Sequence, residues 1–313
     1  MEQFHTEREQ GFVALATQLG QDFSTRAAQY DELGEFPYKN YEELKETGYT
    51  NLTIPQELGG MGASLLERIK TQDHLARGCG ATALAINMHF NVASLLIHVW
   101  HETGKPVAGD MLRKIASERL IVGGSGSEPN NAASILRPLT TATRMTGGWQ
   151  VSGNKIFSTQ SIAVDFYFGE ATSSEDPGQI ISFLIPGDSP GLNFKDDWNT
   201  MGMRSTESRS TQLEEVFVPD SSVFLERPLF ARGGITRMFP RAPFTIGGVY
   251  IGIANAARDF VVNFMRDRKR FPYKSPMGHL PSVYLKVGEM DALLEGARAV
   301  MWKAAAEADT ESP

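Results

Sequence analysis

The sequence predicts an α+β protein in which a helical segment, a β-rich segment and a second helical segment follow one another. Residues 81–100 contain no Asp, Glu, Lys or Arg, and residues 242–267 contain few charges, as expected for buried helices. Between them, short β-rich runs alternate with turn sequences, which is typical of an antiparallel sheet. We therefore predict an N-terminal all-α domain at 1–120, a middle antiparallel β-barrel or sandwich domain at 121–227, and a C-terminal α domain at 228–313.

Charge and cysteine content narrow the class of protein. A formal net charge of −7, with no dense block of Lys and Arg, argues against a nucleic-acid partner. Cys79 is the single cysteine, so no intrachain disulfide can form. The N-terminus is acidic and has no apolar signal core. We therefore expect a cytoplasmic protein.

Helix signals are clear in the N-terminal segment. Ser64 and Glu67 form a capping box, which predicts a helix from about Ser64 to Arg77. The preceding stretch "IPQELGGMGAS" is rich in glycine and predicts a loop. Further helices are predicted at 81–103 and 105–119.

The stretch 81–100 is also long enough for a membrane span, because its 20 residues reach the usual threshold. However, Asn87, His89, Asn91 and His98 are poorly suited to lipid. We therefore predict a helix buried in the protein core and no membrane span.

The middle segment contains four β-rich runs, "WQVSG", "DFYFGEA", "IISFLIP" and "STQLEEVFVP", separated by turns such as "DPGQ". Helical patterns return after about Pro228, with helices predicted at 242–267 and 281–308. Pro281 fits the first turn of the second helix, where no backbone N–H is needed.

Residues 123–134, "GGSGSEPNNAAS", are rich in glycine in the manner of phosphate-binding loops. The dinucleotide pattern G-x-G-x-x-G can start at Gly124, but Pro129 occupies the last glycine position and no helix is predicted to begin there. The P-loop pattern fails at 148–155, because Asn154 stands where lysine is required. We therefore predict neither of these nucleotide-binding motifs.

No metal site is predicted. His98 and His101 could share a helical face, but two histidines without a carboxylate at ligand spacing are more typical of packing. Cys79 has no visible activating partner and is expected to be a buried structural thiol.

Five ordered motifs carry a family resemblance. They are "PQELGGMG" at 55–62, "SEP" at 127–129, "GNKIFST" at 153–159, "MGMRSTESRSTQLEEVFVP" at 201–219 and "RKRF" at 268–271. In this order and spacing, the sequence resembles the acyl-CoA dehydrogenase family of flavoproteins. The resemblance covers essentially the whole chain. It implies the family fold, FAD as the cofactor, an acyl-CoA-like substrate and a place in fatty acid metabolism.

The resemblance also implies a set of cofactor-binding residues: Gly126, Ser127, Phe157, Ser158, Thr159, Arg268 and Phe271. Ser127 would bond the edge of the flavin ring, Phe157 would cover one face, and Thr159 would lie near N5, where hydride arrives. Arg268 and Phe271 would reach the FAD of a neighbouring subunit, which implies a dimer or tetramer.

The sequence departs from the family pattern in three places. Ala133 stands where the family has a serine, and Pro281 stands where it has a glutamine. Two further C-terminal helices of the family, one of which carries the catalytic glutamate in most members, have no counterpart. The C-terminal domain is therefore expected to be an incomplete bundle, with apolar helix faces left uncovered.

Some relatives place the base early in the first C-terminal helix, but the region 227–258 contains no Asp or Glu. The catalytic residue is left unknown.

Three functions remain open. The first is FAD-dependent α,β-dehydrogenation of an acyl-CoA thioester. The second is a flavin-dependent monooxygenase of the same fold, because such relatives need no glutamate base. The third is a catalytically inactive remnant, or a partner subunit in a hetero-oligomer with a full-length relative.

Overall fold

The computed structural model describes residues 6–229 and 241–310. Helices and strands follow the predicted α, β, α order, which confirms the α+β class. The helices are α1 (Glu7–Ser24), α2 (Ala27–Leu33), α3 (Tyr38–Glu46), α4 (Leu65–Gly78), α5 (Gly80–Thr103), α6 (Pro106–Glu118), α7 (Arg241–Asp267) and α8 (Pro281–Thr310). The strands are β1 (Val122–Gly124), β2 (Thr141–Met145), β3 (Gly148–Ser158), β4 (Phe166–Ser173), β5 (Gln179–Pro186), β6 (Leu192–Phe194), β7 (Arg209–Pro219) and β8 (Val223–Pro228).

The described residues divide into two compact units. The helical unit combines the described parts of Met1–Ala28, Ser64–Ala83 and Pro243–Pro313. The sheet unit combines those of Gln29–Ala63 and Leu84–Ala242, so it contains all eight strands together with α3, α6 and most of α5.

In the helical unit, helices approach closely where glycine leaves room. A Cβ atom added to Gly78 of α4 would lie 1.8 Å from the carbonyl oxygen of Gly20 in α1. A Cβ atom added to Gly252 of α7 would lie 2.2 Å from the carbonyl oxygen of Asp73. Both distances are far below any real contact, so glycine is required at these two crossings.

The start of α4 confirms the predicted capping box. The Ser64 hydroxyl accepts from the Glu67 amide at 3.2 Å, and the Glu67 carboxylate accepts from the Ser64 amide at 2.8 Å. The Asp309 carboxylate accepts from the next two free amides, of Leu65 and Leu66, at 2.9 and 3.0 Å. The first amides of α4 are therefore satisfied by side chains from both ends of the sequence.

In the sheet unit, the eight strands form one sheet in the order β6-β7-β3-β2-β4-β5-β8, with β1 paired to β4. Most neighbours are antiparallel as predicted, but β1 and β2 each run parallel to β4. Alternating hydrophobicity identifies strands without fixing the direction of their neighbours, so the sequence did not reveal these two pairings.

Strand β5 is buried on both faces, which explains its continuous apolar sequence. On one face, Leu184 packs in a cluster with residues of α5 and α6. On the other, Ile181, Phe183 and Ile185 join the core between the strands. Helices therefore cover one side of the sheet, and side chains from several strands pack against one another on the other side.

Helix α5 is long and apolar enough to cross a membrane by length and composition. However, 61% of its most apolar window is buried inside the protein, as in the core helix of a globular domain. This burial agrees with the predicted core helix. The thiol of Cys79, which precedes α5, is also buried, as expected.

Candidate functional site

The segment that follows β1 lies against the end of β3. The Ile156 amide donates to the Ser127 carbonyl oxygen at 3.0 Å, and the Ser125 hydroxyl donates to the Ile156 carbonyl oxygen at 2.5 Å. The Ser125 hydroxyl also accepts from the Ser127 amide at 2.9 Å. These bonds bring Ser127 alongside Phe157, although 30 positions separate them in the sequence.

Phe157 has an unusual backbone conformation. Its φ is 59°, in the left-handed region that bulky residues avoid. The pairing of β3 with β7 is irregular between Lys155 and Ser158, so Phe157 lies in a β-bulge. Its ring is 58% exposed. Strained residues of this kind concentrate at functional sites, and this bulge directs an aromatic ring away from the core.

The ring of Phe157 meets one aromatic neighbour edge to face. The centroid of Trp198 lies 6.2 Å away, with an interplanar angle of 87°. The Trp198 indole N–H donates to the Met203 carbonyl oxygen at 3.1 Å, which fixes the indole ring. Trp198 was not among the predicted site residues, because nothing in its own sequence context marks it as a neighbour of Phe157.

Thr159 belongs to a chain of hydroxyl groups. Its Oγ1 lies 2.9 Å from Ser208 Oγ, which in turn lies 2.8 Å from Thr206 Oγ1. Thr206 donates to the Met203 carbonyl oxygen at 2.9 Å. The chain ends at the same carbonyl that holds Trp198, so the hydroxyl groups and the two aromatic rings form one connected arrangement.

Gln160 anchors this arrangement to the rest of the sheet unit. Its side-chain oxygen accepts from the Tyr41 hydroxyl at 2.5 Å, and its amide nitrogen donates to the Val122 carbonyl oxygen at 3.0 Å. Its backbone amide donates to the Thr206 carbonyl oxygen at 2.8 Å. Gln160 therefore ties α3, β1 and the 204–206 turn to the end of β3, a role that its sequence neighbours do not signal.

Glu128 and Lys155 form a fully buried ion pair next to the site. Lys155 Nζ lies 2.7 Å from Glu128 Oε1. Burial acts to raise the pKa of Glu128, but the charge and hydrogen bond of Lys155, with hydrogen bonds from Thr140 and Leu139, outweigh burial and lower that pKa to about 2. Glu128 is therefore a fixed carboxylate anion, which rules out a role as a proton acceptor near neutral pH.

The remaining predicted residues have different surroundings. Ser158 is buried, and its hydroxyl accepts from Thr211 at 2.6 Å. Arg268 and Phe271 belong to the helical unit. The Arg268 guanidinium lies over the Phe264 ring at 4.4 Å, and the Phe271 ring is 94% exposed. The structure thus gathers Gly126, Ser127, Phe157, Ser158 and Thr159 within the sheet unit and leaves Arg268 and Phe271 in the other unit.

The residues at the ends of β1 and β3 suit a planar ring with a polar edge, such as a flavin. Within the described part of the chain, the half-buried Ser127 hydroxyl makes no hydrogen bond, so it is available to a ligand. A Cβ atom on Gly126 would meet Ile135 at an ordinary 3.4 Å, so internal packing does not require glycine there. The exposed Phe157 ring supplies a stacking surface.

Family models cover most of the chain. The N-terminal domain of acyl-CoA dehydrogenase matches residues 6–105, the middle domain matches 124–216 and the C-terminal domain matches 235–313. YdbM of Bacillus subtilis (strain 168), whose name places it among the acyl-CoA dehydrogenases, is 32% identical over 285 residues. That match spans 90% of this chain and 72% of YdbM.

Two further proteins resemble this chain, one in sequence and one in fold. The dibenzothiophene monooxygenase of Rhodococcus erythropolis is 28% identical over 94% of this chain and 72% of its own length. The solved structure of FMN-bound TdsC from Paenibacillus sp. A11-2 has a TM-score of 0.84 at 24% identity and covers 96% of this chain and 76% of TdsC. The second likeness concerns the fold alone.

Proposed function

Because the chain belongs to the acyl-CoA dehydrogenase family, whose members bind flavin, we propose that it binds FAD and oxidises an acyl-CoA thioester at the α and β carbons. The observation that carries this proposal is the grouping of Ser127, Phe157 and Thr159 at the adjoining ends of β1 and β3. The three side chains provide a hydroxyl that has no hydrogen-bond partner among residues 6–229 and 241–310, an exposed aromatic face and a chain of hydroxyl groups.

In this proposal each residue has a separate task. The Ser127 hydroxyl and the backbone at Gly126 bind the polar edge of the flavin ring, because a hydroxyl and a backbone amide can both donate and accept hydrogen bonds there. Phe157 covers one face of the ring. Thr159, aligned by Ser208, donates or accepts a hydrogen bond near the reacting nitrogen. A bound flavin would supply the hydride acceptor.

The family resemblance further assigns Arg268 and Phe271 to the FAD of a neighbouring copy. Arg268 would bind the pyrophosphate, for which a guanidinium is well suited. Its present contact with the Phe264 ring is compatible with this task, because stacking leaves guanidinium N–H groups free to donate. The proposed form is therefore a homo-oligomer.

Two carboxylates near Ser127 and Thr159, those of Glu128 and Glu207, are poorly suited to remove an α-proton. Glu128 is bound to Lys155, and the Glu207 carboxylate accepts from Arg209 at 2.5 Å. A general base must reach the proton that it removes, and both groups are already occupied.

Because Glu128 and Glu207 are both paired with basic side chains, a second candidate is favoured, a flavin-dependent monooxygenase. Such a reaction inserts oxygen and needs no carboxylate to remove an α-proton. The likeness to a dibenzothiophene monooxygenase, over 94% of this chain, supports keeping this candidate. The partner-subunit alternative predicts flavin binding or assembly without turnover.

One experiment separates these functions. Purified protein is incubated with FAD or with FMN, freed of unbound flavin, and mixed without oxygen with a panel of acyl-CoA thioesters. Bleaching of the visible flavin band by a thioester supports dehydrogenation. Substrate-dependent oxygen consumption with supplied reduced flavin, and no bleaching by thioesters, supports the monooxygenase. Bound flavin with neither activity supports the partner subunit.

A further inference from the structure

The Glu128–Lys155 pair lies where the two cofactor-facing segments meet. Glu128 follows Ser127 directly, and Lys155 precedes Phe157 by two positions. The side chains of Lys155 and Glu128 are only 0% and 2% exposed. Between them, the Ile156 amide donates to the Ser127 carbonyl oxygen at 3.0 Å. The ion pair therefore adjoins the backbone hydrogen bond that, with the two bonds of the Ser125 hydroxyl, sets Ser127 beside Phe157.

The Glu128 carboxylate accepts hydrogen bonds from several groups besides Lys155. It accepts five hydrogen bonds, from Asn131 Nδ2 at 2.8 Å, Leu139 N at 2.5 Å, Thr140 N at 2.9 Å, Thr140 Oγ1 at 2.6 Å and Lys155 Nζ at 2.7 Å. Buried charges persist when they are paired and hydrogen-bonded in this way. Glu128, which follows Ser127 directly, is therefore bound both to the 128–140 loop and to Lys155 of β3.

We propose that Glu128 and Lys155 are positioning residues that fix the separation of Ser127 and Phe157 and thereby set the affinity for flavin. This inference rests on the proposed flavin site. The pair acts through Ser127 and Phe157 and makes no contact of its own with the flavin. Because a stacked ring and an edge hydrogen bond must be satisfied together, a small change in their separation weakens both.

The same sheet contains a second buried ion pair that serves as a matched control. Arg227 Nη2 lies 3.2 Å from Glu170 Oε1, and both side chains are buried. Their other partners are the Ser182 hydroxyl and the Ile135 carbonyl oxygen, neither of which belongs to the predicted cofactor-binding set. Loss of this pair removes a buried ion pair from the sheet and the hydrogen bond to Ile135 in the 128–140 loop, but it takes no partner from the Glu128 carboxylate or from the Ile156–Ser127 backbone hydrogen bond.

The test compares Glu128→Gln/Lys155→Met with Glu170→Gln/Arg227→Met. Each double substitution removes one positive and one negative charge, so the net charge is unchanged and no lone buried charge remains. FAD and FMN are titrated separately against each protein by flavin fluorescence. Thermal unfolding is followed by circular dichroism in the absence of flavin, so that stability is measured apart from binding.

We expect Glu128→Gln/Lys155→Met to bind flavin about tenfold or more weakly, and the control to bind within about twofold of the wild type. Equal flavin affinity in the two variants, whether unchanged or reduced in step with the melting temperature, would overturn the inference.

If the wild type itself binds no flavin, the proposed function fails instead. If Glu128→Gln/Lys155→Met does not fold, Glu128→Asp replaces it, because Asp keeps the charge and shortens the side chain by one methylene. A folded Glu128→Asp with wild-type flavin affinity would equally overturn the inference.

Discussion

Phe157 and Trp198 meet edge to face, with ring centroids 6.2 Å apart, and Phe157 holds this position from a left-handed backbone conformation. Its ring is more than half exposed, so burial of apolar surface does not explain the strained backbone conformation. An exposed ring held at a conformational cost is expected where a ligand will cover it.

Removal of the Phe157 ring is expected to weaken flavin binding. Aromatic contacts contribute about 1 kcal/mol beyond buried area, so Phe157→Ala should reduce affinity at least about fivefold. Phe217→Ala is a suitable control, because Phe217 is a half-exposed aromatic on β7 of the same sheet. Fluorescence titration gives both affinities, and equal losses in the two variants would count against the stacking role.

The backbone strain at position 157 can be tested separately from the ring. Phe157→Gly and Phe157→Ala both lack the ring, but glycine adopts a φ of 59° without steric cost. The left-handed conformation costs a non-glycine residue about 1–2 kcal/mol, and glycine loses about 0.5–1 kcal/mol more backbone entropy on folding. Urea unfolding should therefore show Phe157→Gly to be more stable than Phe157→Ala, by up to about 1.5 kcal/mol. The reverse order would show that the residue is not strained.

The Tyr41–Gln160 hydrogen bond is expected to stabilise the fold. Tyr41→Phe leaves the buried Gln160 side-chain oxygen without its donor, which costs about 1–3 kcal/mol. Tyr38→Phe, on the same helix but with an exposed ring, should have little effect. Thermal unfolding of the two variants distinguishes these outcomes, and similar melting temperatures would contradict the assigned contact.

The low pKa of Glu128 predicts a specific acid sensitivity. The folded pKa of about 2 lies below the ordinary value of 4.5, so the contribution to stability is present above about pH 4.5 and is lost as the pH falls towards 2. The contribution is at most about 3 kcal/mol. Urea unfolding at about pH 5 and about pH 3 should show a smaller loss of stability for Glu128→Gln/Lys155→Met than for the wild type. Equal losses would mean that Glu128 is not held as an anion.

Local sequence patterns predicted much of the fold. Ser64 and Glu67 cap α4 as expected, and Pro281 begins α8, because capping chemistry and the missing proline N–H act within one helical turn. The four β-rich runs are all strands. The parallel pairing of β1 with β4 was not predictable in this way, because it depends on the path of the chain between them.

The candidate site was predicted only where sequence motifs mark it. The motifs named Ser127, Phe157 and Thr159, and the fold brings these residues into neighbouring segments. Trp198 and Gln160 were missed, because their importance comes from contacts with distant residues. The bulge at Phe157 was also missed, since a regular alternating pattern gives no sign of an inserted residue.

A flavin titration of the wild type beside Phe157→Ala tests whether this chain binds flavin at the adjoining ends of β1 and β3. We expect wild-type protein to retain flavin after removal of the unbound cofactor, with a perturbed visible absorption band, and Phe157→Ala to retain less. Wild-type protein that retains neither FAD nor FMN, or a Phe157→Ala variant with unchanged affinity and spectrum, would contradict it.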